Sequence, residues 1–152
     1  MILTNKQCQH INSYKMADFD KFWLKLKKSL DKNAVKGDND CIIWIGSKDK
    51  YGYGRKKVTW PNGSQSIEII HRVAYMLHHR IVKEDVQRLA PDGSALDVSH
   101  TCNNKCCIKP SHLVLEKHQT NMSRIHCFGH NLYVCTHKPP CLLPALLQNE
   151  RV

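Results

Sequence analysis

The run Ser99-His-Thr-Cys-Asn-Asn-Lys-Cys-Cys-Ile-Lys-Pro-Ser-His112, and beyond it Cys127, Cys135, His137 and Cys141, gather soft thiolates and imidazoles within a few residues of one another. Donors of this kind in fours are what tetrahedral Zn(II) takes, and short loops bring them into one sphere at little entropic cost. Cys127, Cys135, His137 and Cys141 make a complete Cys3His set by themselves. The earlier run supplies Cys102, Cys106 or Cys107, and His112, so its fourth ligand must come from elsewhere. Cys41, at the start of a strand, is the better candidate, and Cys8 in the polar N-terminal stretch is the rival. The cysteines left over read as buried filler or surface thiols. His100, two residues before Cys102, has by spacing alone two readings, a zinc ligand or a general base.

The chain of 152 residues carries 23 Lys and Arg against 13 Asp and Glu, a net charge of +10, which favours a polyanionic partner through counterion release and steering. Nucleic acid fits better than a membrane surface, because the basic residues are spread along most of the chain and not gathered on one amphipathic helix. No apolar run approaches a membrane span, and no signal-like apolar region follows Met1. The expected setting is therefore intracellular, and the nucleus if the source is eukaryotic. There, the eight cysteines read as metal ligands before disulfides.

These groups need a scaffold, and the periodicity predicts an α+β domain: a small antiparallel sheet with flanking helices. Phe19, Phe22, Trp23, Leu26 and Leu30 share one face of a helix over 18–30, with Asp18 as N-cap. The opposite face carries Lys25, Lys27 and Lys28, a solvated surface that could touch phosphates. The β-branched and aromatic segments 41–45, 51–60 and 66–70 predict a three-stranded antiparallel sheet, with a turn at 61–65 around Pro61-Asn62-Gly63. Ile70, Val73, Ala74 and Leu77 predict a helix over 71–81, and 95–99 a short strand. The chain reads as a single domain: an N-terminal helical segment to residue 37, a core over 38–126, and a second zinc site and tail over 127–152.

At these residues the sequence resembles the His-Cys box homing endonucleases. The resemblance runs from about 41 to 141 and rests on Cys41, Tyr51-Gly-x-Gly54, His71-Arg72 opening a helix, Ser99-His-x-Cys102, Cys107-x-x-Pro-Ser-His-Leu113, Asn121 and the Cys-Cys-x-His-x-x-x-Cys tail. It implies a ββα-metal core with two structural zinc ions, one on Cys41, Cys102, Cys107 and His112, the other on Cys127, Cys135, His137 and Cys141. It implies one Mg(II) per active site, held by Asn121, with His100 as general base and an arginine, assigned to Arg55, holding the scissile phosphate. It also implies cleavage of double-stranded DNA by a homodimer, to which the apolar tail Leu142-Leu-Pro-Ala-Leu-Leu147 could contribute by crossing to the partner.

Among donor-rich side chains, Arg55, Lys56, Lys57, Thr59 and Gln65 could address base edges if the ribbon enters the major groove, although only one face of a strand can do so. Arg124, one turn beyond Asn121, is a further phosphate contact on this reading. His118, His126 and His130 read as solvent-exposed. Three rival functions stay open: a zinc-stabilised DNA-binding regulator without cleavage, a structural zinc domain, and a nuclease that is not of homing type. The presence of both His100 and Asn121 disfavours the first, and the charge disfavours the second.

Overall fold

The structure, a computed structural model, describes residues 5–129 and 135–143, with side chains described from residue 16 onward. His130 and the tail from residue 144 lie outside the described residues, and so does the side chain of Cys8.

Helix α1 spans Asn5–Lys32, well before the predicted start, so Asp18 lies inside the helix and does not cap it. Its core face is formed by Trp23, Leu26 and Leu30, all buried. Phe22 stacks edge-on against Trp23, with centroids 4.7 Å apart, and also meets Trp60. Phe19 departs from expectation and is 41% exposed.

The three-stranded sheet does not form. The strands pair instead as three separate antiparallel ribbons. β1 (Ala34–Lys36) pairs with β2 (Ile42–Trp44) through Val35 opposite Ile43. On its other side β2 binds the cysteine loop: Trp44 N donates to Cys106 O at 2.8 Å and Ile108 N to Ile42 O at 2.7 Å. β3 (Arg55–Thr59) pairs with β4 (Gln65–Ile69) around the expected turn, in which Gly63 takes φ 83°. β-propensity specified strands here but not partners, and the hydrogen bonds of β2 are used by the loop that must carry metal ligands.

Helix α2 (Ile70–His79) follows β4 without a linker and ends in a left-handed Arg80, φ 52°. Ile70, Val73, Ala74 and Met76 form its buried stripe. The Gly54 position lets strand and helix close up: a Cβ there would lie 2.4 Å from Ile70 Cγ2 and 2.5 Å from Trp44 Cδ1, and Ile70 N donates to Gly54 O. The third ribbon joins β5 (Leu96–His100) to β6 (Leu113–Lys117), and helix α3 (His118–Gly129) leaves β6 directly, giving a ββα unit. Val98 and Leu113 of this hairpin join Trp23, Leu30, Trp44, Val58, Val73 and Ile108 in one core. No helix among the described residues is long and apolar enough to cross a membrane.

Candidate metal centres and acid–base site

Cys41 precedes β2, Cys102 and Cys107 lie in the loop after β5, and His112 ends a short 3₁₀ turn opened by Pro110. Their ligand atoms all lie within 4.8 Å of one another. Cys41 Sγ and Cys107 Sγ stand 3.6 and 3.5 Å from His112 Nδ1. Zn–S bonds near 2.3 Å and Zn–N bonds near 2.0 Å give tetrahedral edges of roughly 3.5–3.8 Å, so the spacing is that of a zinc sphere. Cys106 points away and donates to Gly52 O at 3.3 Å, docking the 51–54 loop onto the cysteine loop.

Burial pushes the Cys41 thiol pKa up to about 11. Cys107 is held down to about 4 by a hydrogen bond from Cys102, with help from the Lys109 and Ile42 backbone, while Cys102 is pushed up by the same pairing. Crowded buried sulfurs that cannot share negative charge are relieved by a dication between them.

The second group, Cys127, Cys135, His137 and Cys141, satisfies the same distance condition. Its three sulfurs lie 3.4, 3.3 and 3.7 Å from His137 Nδ1. Ser123 Oγ donates to Thr120 O and lies 2.7 Å from His137 Nε2, so Nε2 carries the ring proton and Nδ1 is left with its lone pair facing the sulfurs.

His100 ends β5, and its Nε2–H donates to Cys107 O at 3.0 Å. A carbonyl can only accept, so the proton sits on Nε2 and Nδ1 keeps a free lone pair. Burial lowers the His100 pKa and keeps the ring neutral. His71, from the first turn of α2, packs against it with ring centroids 4.4 Å apart. Burial drives His71 down to about 3, its Nδ1 has no hydrogen-bond partner among the described residues, and it is neutral as well. His71 entered the sequence reading only as a helix marker; its place beside His100 depends on how α2 packs.

Asn121 lies on α3, in the same ββα unit as His100. Its Nδ2 donates to Asp97 Oδ2 at 2.9 Å, and His118 Nδ1–H donates to that same oxygen at 2.6 Å. His118 was expected to be only solvated; it is exposed yet paired. Asp97 had no role in the sequence reading, and the available signal was its position on the strand that also carries His100.

Two expected DNA contacts need correction. Arg124 is 2% exposed: Nε and Nη2 bind the two oxygens of Glu116 at 2.7 and 2.8 Å, and Nη1 reaches Pro139 O and Cys141 Sγ. It therefore joins the hairpin to the second cysteine group, and its guanidinium is not open to a phosphate. Lys56 turns inward, donating to Ser29 Oγ of α1 at 2.6 Å. The outward face of the β3–β4 ribbon is Arg55, Lys57 and Thr59, opposite Ile69, Ile67 and Gln65. Arg55 is paired with Asp49 at 2.8 Å and lines a cleft of about 380 Å³ with Arg72 and Arg88.

Comparison with known proteins bears on this arrangement. The family described as the zinc-binding loop region of homing endonuclease matches residues 40–151. Protein 7.7 of Escherichia phage T7 is 34% identical over 76 residues, which make up 50% of this chain. The matched part spans 47%, about half, of that protein's length.

Proposed function

Since the chain belongs to the family defined by the zinc-binding loop region of homing endonuclease, we propose that it is a sequence-specific double-strand DNA endonuclease of homing type, carrying two structural zinc ions. The observation that carries this reading is the 3.0 Å contact of His100 Nε2 with Cys107 O, which fixes the tautomer. Its Nε2 is committed to the Cys107 carbonyl, a residue of the first metal group, and its Nδ1 is free on a ring that burial keeps neutral. A fixed, neutral imidazole is what a general base for water needs near neutral pH. The metal group and the base are thus coupled: folding Cys107 onto its partners sets the carbonyl that orients His100.

Asn121 suits Mg(II), because its nitrogen is used by Asp97 and its hard amide oxygen remains for a cation that keeps several waters. Bound there with DNA, Mg(II) would neutralise charge on the phosphate and stabilise the leaving oxygen. The outward strip of Lys57, Thr59 and Gln65 would enter the major groove, with exposed Ile67 able to meet a thymine methyl. Arg55, with Arg72 and Arg88 beside it, would hold backbone phosphate. We propose a homodimer, since one module covers too little DNA for a rare site, and an intracellular setting.

Cleavage of a randomised duplex library with Mg(II) tests this, comparing wild type with His100→Ala and Asn121→Ala at measured zinc content. Cutting by wild type alone, with zinc retained in all three, is the expected outcome. DNA binding without cutting under any divalent cation would favour a zinc-stabilised regulator, and loss of a zinc equivalent from His100→Ala would make His100 a ligand.

A further inference from the structure

We propose, resting on the reading of Asn121 as the cation-binding residue, that Asp97 is its positioning residue. The Asp97 carboxylate fixes the Asn121 amide with nitrogen inward and oxygen free, and His118 holds that carboxylate in place. Two donors converge on one oxygen: Asn121 Nδ2 at 2.9 Å and His118 Nδ1 at 2.6 Å from Asp97 Oδ2. A carboxylate only accepts, so the atom of Asn121 facing it must be the nitrogen. Turning the amide over would set two lone-pair-bearing oxygens 2.9 Å apart without a proton between them. The two orientations of an asparagine amide are otherwise nearly isosteric, and only one presents an oxygen to a cation.

The parts of this device come from two elements, β5 and α3. Asp97 sits near the start of β5, opposite Glu116 of β6, with 32% of its side chain exposed. His118 is the first residue of α3, and Asn121 follows one turn later. The β6–α3 junction therefore delivers both donors to one strand residue, and the backbone backs it: His118 N donates to Ala95 O at 2.9 Å. A lone neutral oxygen ligand gains more from being held ready than a carboxylate would, because it has no charge with which to recruit the cation. Groups that orient a metal ligand are typically worth 10–100-fold in affinity.

Two substitutions separate orientation from charge. In Asp97→Asn the new side-chain oxygen can still accept from Asn121 Nδ2; in Asp97→Ala nothing can. The experiment is a Mn(II) titration of the zinc-loaded full chain without DNA, read by paramagnetic broadening of the Asn121 side-chain amide in nitrogen-15 spectra. Asp97→Ala is expected to need about tenfold more Mn(II) than wild type for equal broadening, and Asp97→Asn less than about threefold more. Equal titrations for wild type and Asp97→Ala overturn the proposal while leaving Asn121 as the ligand. An Asp97→Asn defect as large as that of Asp97→Ala also overturns it, making Asp97 a direct ligand. Absence of broadening at Asn121 in wild type removes the cation site itself, and this proposal with it. Independently of how the variants fold, the wild-type Asn121 amide should exchange one of its protons slowly; fast exchange of both overturns the proposal.

Discussion

The two cysteine groups are chemically alike and structurally opposite. The first joins Cys41 to His112, 71 residues away in sequence, and its Cys41, Cys107 and His112 are buried at 3%, 0% and 4% exposure, beside Val98, Ile108 and Leu113 of the main core. The second is assembled within residues 127–141 and, among the described residues, has a satellite cluster with Leu143 and Phe128 around it. A cross-link that closes a long loop inside a core removes more unfolded-state freedom than one closing a short loop at the rim. The same four donors can thus hold a fold together in one place and shape a local loop in another, and ligand identity alone does not distinguish the two roles.

The sharpest way to break that contrast is to remove one ligand from each group. Cys41→Ser is expected to abolish cooperative unfolding of the whole domain at ambient temperature, since structural zinc contributes roughly 10 kcal/mol or more of binding free energy to folding. Cys135→Ser should release one zinc equivalent and lose amide protection over α3 and residues 135–143, while β5, β6 and α2 stay protected. Zinc content and amide hydrogen exchange on both variants check this. Global unfolding of Cys135→Ser would show that the second group is as central as the first.

Arg124 is the main polar joint between these halves. Its pair with Glu116 has side-chain exposures of 3% and 9%, and Ser99 Oγ donates to the same carboxylate. Arg124→Ala leaves that carboxylate buried and unpaired, at an expected cost of about 3–5 kcal/mol. Pairing Arg124→Met with Glu116→Gln should recover part of that loss in chemical denaturation. If Arg124→Ala costs under about 1 kcal/mol, the halves are stable independently of this joint.

The joint also marks where sequence reading ends. The second cysteine group was legible because its ligand spacing is a local property, and α2 because an apolar stripe is one as well. In the first group spacing left Cys41 or Cys8 and Cys106 or Cys107 open, because Cys41 comes from 71 residues away, and only the family resemblance named Cys41 and Cys107. Arg124 was misread because its partner Glu116 is eight residues earlier on a strand, and only the packing of α3 on β6 brings them together. The sheet was misread for a related reason: Ile42–Trp44 has the composition of a central strand, but its free edge is taken by Cys106 and Ile108. Asp97 shares a strand with His100, but that signal is weak, since a single acidic residue in a short strand gains its partners only when α3 sets His118 and Asn121 beside it.

Acid should weaken the first half through His71. Its folded pKa of about 3 lies below an unfolded value near 6.5, so the unfolded state binds the extra proton between those values. The associated stability is complete above about pH 6.5 and is lost as pH falls toward 3, by at most about 1.4 kcal/mol per pH unit. His71→Gln, which does not titrate, should have a shallower dependence of unfolding free energy on pH over that window, with zinc content followed in parallel to separate ligand protonation. Parallel curves for the two proteins would remove His71 as the cause.

The smallest expected effect concerns DNA. Lys57 on β3 and Lys138 beside the second cysteine group are both exposed lysines of equal charge. If the ribbon of the first half meets the duplex, Lys57→Ala should weaken binding by about 1 kcal/mol and lower the slope of log affinity against log salt by about 1, as one lost phosphate contact does. Lys138→Ala should leave both unchanged. Salt titrations of fluorescence anisotropy on a generic duplex measure the two slopes side by side. Equal losses would mean that affinity follows net charge and not the ribbon face; a larger loss at Lys138 would move the DNA surface to the half around the second cysteine group.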